Sequence, residues 1–197
     1  DFDIEEVAPQ KNYEFGKCRL ATASYGHGIA TTLLQLAKGY AILSNGGFKI
    51  NPTLISKDKS NFKKGISLVR KEVSDQVVSA LRKVVNTNEG TAKFANVPNF
   101  EIGGKTGTAD KVFNGEYSEG KVNTFASILP TSNPQYVLVV MLDGPKKSKD
   151  YYYKYRHMDG GWKGTLKNSA GWTSVEVAGK VIDKIGPILA TKYIEVN

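Results

Sequence analysis

The chain has 197 residues, 40% of them hydrophobic and 23% charged, with a formal net charge of +8. That length holds one core, and the balance is that of a globular protein, not a disordered one. No apolar run approaches the ~20 residues that cross a bilayer.

Residues 1–20 show little periodicity and start abruptly, as the middle of a larger protein would. Thr31 and Thr32 then offer N-cap hydroxyls to a helix over 33–44, with Leu33, Leu36, Ala37, Tyr40 and Leu43 on its inward face. Asn45-Gly46-Gly47 ends that helix. Residues 48–55 are expected as a strand interrupted by Pro52, followed by a lysine-rich loop. Ser74 is expected to cap a second helix to about 85, with Val77, Val78, Leu81, Val84 and Val85 inward. One further helical turn is expected over 91–95. Strands follow at 100–109, 122–129 and 135–143, and the short turns between them favour an antiparallel sheet. Residues 146–168 are polar, aromatic and glycine-punctuated, which reads as a long loop. Thr173-Ser174-Val175-Glu176 fits a capping box for a last helix, with Val175, Ala178, Ile182 and Ile185 inward and a stop at Gly186-Pro187. The expected fold class is α+β, an antiparallel sheet flanked by helices.

Several chemistries find little support. Cys18 is the single cysteine, so neither a disulfide framework nor a cysteine metal site is expected. His27 and His157 are far apart and lack HExxH spacing, so no metal, no cofactor and no Ser-His-Asp mechanism is expected. Residues 1–6 are acidic and do not form a secretory signal, so a targeting segment would lie elsewhere or have been removed. The lysines form short scattered groups without an arginine-rich helix or an RNA-binding aromatic signature. Nucleic acid is therefore not an expected partner, and solvated loops facing an anionic surface are.

The most informative stretch is Gly103-Gly104-Lys105-Thr106-Gly107-Thr108-Ala109. It sets an ammonium, two hydroxyls and a glycine-rich backbone on one expected strand, the donors needed to hold a carboxylate and a developing oxyanion. Two imitations fail. A P-loop would need glycine where Asn99 stands, and Gly26-His27-Gly28 has Thr31 at the third dinucleotide-fingerprint position. A solvated edge-strand lysine is the plain alternative for Lys105.

Lys105-Thr106-Gly107 is one of three motifs of penicillin-binding proteins and class A β-lactamases. The surrounding blocks extend the likeness. They are 21–29 with 32–37, Asn45-Gly46-Gly47, Gly90-Thr91-Ala92, Phe125-Ala126-Ser127 and Asn133-Pro134-Gln135-Tyr136-Val137. Together they resemble the C-terminal half of the transpeptidase domain of class B penicillin-binding proteins over about 20–145, and more weakly over 170–190. The resemblance is to the division and elongation types of these enzymes, and Ala170-Gly171-Trp172 points to the division type.

The resemblance implies a partial penicillin-binding/serine β-lactamase-like fold, with residues 1–197 forming the C-terminal part of a single transpeptidase domain. It also implies acyl-serine chemistry cross-linking peptidoglycan stem peptides, with β-lactams as inhibitors and division proteins as partners. The place of work would be the periplasmic face of the inner membrane, through an anchor outside this chain. Lys105 would serve the proton network and orient the substrate carboxylate. Thr106 and Thr108 would offer it hydroxyls, and the Thr108 backbone N–H would be an oxyanion donor. Gly107 would admit substrate backbone closely, and Tyr117, Tyr152 and Tyr153 would form an aromatic wall, with ordinary loop packing as their alternative.

The chain departs from the family in two motifs. No Ser-x-Asn occurs. Ser-x-x-Lys occurs at Ser56, Ser60 and Ser118, each expected in a polar loop and not at the start of a buried helix. The nucleophile is therefore expected outside this chain, and the chain alone is expected to be inactive. A β-lactamase or D-Ala-D-Ala carboxypeptidase and a non-catalytic binding module stand as alternatives.

Overall fold

A computed structural model describes residues 10–11, 16–24, 26, 29–55, 65–113, 116–147, 152–156 and 162–194. The order is β1 (Gln10–Lys11), α1 (Lys17–Ala23), β2 (Ile29–Ala30), α2 (Leu33–Ser44) and α3 (Lys71–Asn86). A 3-10 turn (Lys93–Ala95), β3 (Gly103–Phe113), β4 (Glu116–Leu129), β5 (Tyr136–Asp143), β6 (Tyr152–Arg156) and β7 (Trp162–Leu166) follow. A second 3-10 turn (Ala170–Trp172) leads into α4 (Ser174–Ile194).

The central sheet is antiparallel in the order β3-β4-β5, so β3 is an edge strand among the described residues. Phe125, Leu129, Val175, Ala178 and Ile182 pack in one buried cluster, which places α4 on one face of the sheet. Gly103 points to the other face. A Cβ there would lie 3.0 Å from the Arg82 nitrogen and 3.1 Å from the Leu81 carbonyl carbon, so α3 runs close over the start of β3. The α+β architecture with helices on an antiparallel sheet is as expected.

Helix α2 begins and ends where expected. The Thr32 hydroxyl accepts the Gln35 N–H at 3.1 Å, and the Gln35 side chain accepts the Thr32 N–H at 2.9 Å, a complete capping box. Gly46 and Gly47 both take positive φ, and the Gly47 N–H reaches the Ile42 carbonyl at 3.0 Å to close the last turn. Thr32→Ala is expected to cost about 1 kcal/mol of stability, read from chemical denaturation. The inward face differs from expectation. Leu33 is exposed and no residue of α2 is fully buried. The helix touches β4, β5 and α3, and the described residues do not enclose it.

Other departures have local causes. The 48–55 strand is reduced to isolated bridges, Phe48 pairing with Ser67. Helix α3 starts at Lys71, three residues before Ser74. The Ser74 hydroxyl is instead buried and donates to the Leu43 carbonyl at 2.6 Å, fastening α3 to the end of α2. Helix α1 begins inside the 1–20 stretch of little periodicity and runs past its end, seven residues being too few for a periodic signal. The expected loop over 146–168 contains the β6–β7 hairpin, whose aromatic alternation through Tyr153 and Tyr155 favours strand.

Helix α4 does not stop at Gly186-Pro187 but runs through Pro187. Gly186 seats the Phe100 ring, which a Cβ would meet at 2.4 Å, and the Tyr136 hydroxyl donates to the Leu189 carbonyl at 3.3 Å. These contacts carry the helix past the break that proline alone would impose. Ile185 is 39% exposed, although Val175, Ala178 and Ile182 are buried as expected.

Candidate active site

The Lys-Thr-Gly run lies at the start of edge strand β3, with Lys105 opposite Ala126, Thr106 opposite Phe125, Gly107 opposite Thr124 and Thr108 opposite Asn123. Direct antiparallel partners share a face. Thr106 and Thr108 therefore lie on the α4 side with buried Phe125 and Asn123, while Lys105 and Gly107 lie on the α3 side. A cation and two hydroxyls thus flank, from opposite sides, an edge that no strand among the described residues pairs with. An outer strand of this kind offers backbone groups along which an extended ligand could add as a further strand.

The glycines divide by role. A Cβ on Gly104 would lie 2.6 Å from the buried Phe125 ring and 2.7 Å from the Ala126 carbonyl oxygen, so packing requires glycine there. Gly107 is exposed, and its Cβ would meet nothing nearer than 3.9 Å. The fold leaves that position open, as a close-approaching ligand backbone needs.

Lys105 is exposed, and its ammonium donates to the Thr106 carbonyl at 2.7 Å. The Thr106 hydroxyl lies 3.0 Å from that of Thr91, and the Thr108 hydroxyl accepts the Ala170 N–H at 3.0 Å. A hydroxyl has one donor and two acceptor sites, so accepting the Ala170 N–H leaves the Thr108 hydroxyl able to donate.

Beside the strand is a cavity of about 590 Å³, with Thr106 and Thr108 on its wall. One side is the 88–94 turn and the other is the 167–172 turn, bringing Lys93 and Lys167 to its lining. Phe94 and Trp172 meet edge to face across these turns, with ring centroids 5.2 Å apart. The turns also touch at Gly171, where a Cβ would lie 2.6 Å from the Thr91 carbonyl oxygen.

Sequence reasoning gave no site role to Thr91 or to the 167–172 turn. The Gly90-Thr91-Ala92 block was a signal for the former. The latter is brought to β3 only by the tertiary fold. Tyr117 falls on β4, and Tyr152 and Tyr153 fall on β6. The side chains of these three tyrosines lie outside the described residues.

Of the three Ser-x-x-Lys matches, Ser56 and Ser60 lie outside the described residues. Ser118 is on strand β4, not in a loop, and its hydroxyl donates to the Lys111 carbonyl at 3.0 Å. Lys121, its motif partner, pairs with Asp110. Neither is arranged as a nucleophile and base. Among the described residues no group of three or more His, Cys, Asp or Glu could hold a metal, and no helix is long and apolar enough to cross a membrane.

The family model of the penicillin binding protein transpeptidase domain matches residues 3–158, and the chain belongs to that family. A peptidoglycan D,D-transpeptidase FtsI homolog of Mesostigma viride is 34% identical over 74% of this chain and 28% of its own length. A probable peptidoglycan D,D-transpeptidase FtsI of Caulobacter vibrioides is 28% identical over 95% of this chain and 31% of its own. The apo transpeptidase domain of penicillin-binding protein 3 from Burkholderia pseudomallei superposes with TM-score 0.74 at 25% identity, over 92% of this chain and 50% of that one. The chain thus spans about half of that solved domain and under a third of those relatives.

Proposed function

We propose that this chain is the substrate-cradling half of a peptidoglycan D,D-transpeptidase of the division type. The observation that carries the reading is the free edge of β3, flanked by Lys105 on one side and Thr106 and Thr108 on the other and left open at Gly107. A stem peptide lies along this edge. A serine hydroxyl supplied by a segment outside these 197 residues attacks the penultimate D-Ala carbonyl. Its proton passes through a network that includes Lys105 to the amine of the departing terminal D-Ala. The oxyanion is met by the Thr108 N–H, a kind of donor worth ~3–4 kcal/mol, and an amine of a neighbouring stem then takes the acyl group from the serine.

Thr106 and Thr108 hold the terminal carboxylate, and a β-lactam occupies the same edge. Tyr117, Tyr152 and Tyr153 belong to this proposal as an aromatic border. Division proteins are its partners, and an anchor outside the chain holds it at the periplasmic face of the inner membrane.

The test is incubation with a fluorescent penicillin followed by denaturing electrophoresis. The 197-residue chain alone is expected to give no covalent band, and a longer protein carrying the upstream serine motifs is expected to label stoichiometrically. A stable band on the short chain would place the nucleophile within it, at Ser56, Ser60 or Ser118. Rapid nitrocefin turnover by the longer protein would instead favour a β-lactamase.

A further inference from the structure

Asn123 is fully buried on β4, directly opposite Thr108. Its amide group donates to the Asn168 carbonyl and, at 2.8 Å, to the Thr173 hydroxyl. The Thr173 hydroxyl donates onward to the Ser169 carbonyl at 3.0 Å, and the Ser174 hydroxyl donates to the Ala170 carbonyl at 3.3 Å. The Ala170 N–H then closes the circuit on the Thr108 hydroxyl at 3.0 Å. The 168–174 segment is thereby held from beneath by β4 and from its front by β3.

The other end of the amide argues against a role in stability alone. Asn123 Oδ1 is buried without a hydrogen-bond partner among the described residues. Burying an unsatisfied carbonyl is unfavourable, and an apolar residue of similar volume would fill the same space without that cost. What an apolar residue cannot do is donate twice to one turn while facing the strand that the turn grips.

We propose that Asn123 is a positioning residue: by fastening the 168–173 turn to β4 it fixes the Thr108 end of the β3 edge, and so the oxyanion donor, relative to the cleft. The inference rests on reading β3 as the acylation edge. Asn123 touches no substrate. It acts through Thr173, the turn and the Thr108 hydroxyl, and a small displacement there misorients the reacting carbonyl.

Two measurements test it. Hydrogen exchange on the 197-residue chain is expected to quicken about tenfold in both 103–109 and 168–173 for Asn123→Ala and for the isosteric Thr173→Val, with α3 unchanged. Thr173→Ser, which keeps the hydroxyl, is expected to exchange like the unaltered chain. In the longer protein the first two variants are expected to slow acyl-enzyme formation about tenfold, with the pre-covalent dissociation constant within about twofold. Exchange that rises equally in α3, or that loosens 168–173 while 103–109 stays protected, would overturn the assignment. So would Thr173→Ser behaving as Thr173→Val. If the unaltered longer protein fails to acylate, the transpeptidase reading falls, and the paired exchange of the two segments still decides the clamp.

Discussion

Lys105→Ala is expected to slow β-lactam acylation of the longer protein about a thousandfold, within the ~10²–10⁴ attributed to a positioned proton-transfer group. The fold should not notice the change. Lys105 is exposed and, among the described residues, its ammonium makes one hydrogen bond, to the adjacent Thr106 carbonyl. Stability should therefore stay within about 0.5 kcal/mol, as for surface positions in general. Lys105→Arg separates charge from proton transfer. It keeps a cation for the carboxylate but cannot release a proton, so binding should be largely retained while the acylation rate stays low. Stopped-flow acylation with a chromogenic cephalosporin gives both constants. A Lys105→Ala protein that acylates at an unaltered rate would remove Lys105 from the proton network.

The second large effect is on the fold. Gly104→Ala is expected to destabilise by about 2–4 kcal/mol, because the new methyl must displace buried packing. The Cβ would lie 2.6 Å from the Phe125 ring and 2.7 Å from the Ala126 carbonyl oxygen, and Phe125 is fully buried. Gly107→Ala, three residues along the same strand, meets no atom within 3.9 Å and should leave stability within about 0.5 kcal/mol. Its effect should instead appear in acylation, where the methyl stands in the path of the ligand backbone. Urea denaturation of the two variants side by side checks the contrast. Equal destabilisation would mean that Gly107 is also held by packing.

The division of labour among Gly103, Gly104 and Gly107 was invisible in the string of letters, where all three read as a freed backbone. Gly103 admits helix α3 and Gly104 admits Phe125, while Gly107 alone faces open space. Local signals were read well where they were complete within a few residues. The Thr32–Gln35 capping box and the Asn45-Gly46-Gly47 stop bound α2 at both ends, since each is a reciprocal arrangement of neighbouring groups. They failed where a distant partner claimed the same group. The Ser74 hydroxyl went to Leu43, and Phe100 on Gly186 carried α4 past its proline.

For this protein the sequence by itself determined the α+β class, the antiparallel meander and the Lys105–Thr108 motif. All of these depend on residue type at short spacing, which the chain states directly. Only the tertiary structure decided that β3 is an edge strand among the described residues, that Lys105 and Thr108 flank it from opposite sides, and that residues 167–172 close over it. Those facts depend on register and on contacts between residues some sixty positions apart, such as Thr108 with Ala170. A strand's two faces are set by its pairing and not by its letters, because a one-residue slip exchanges every side chain between them.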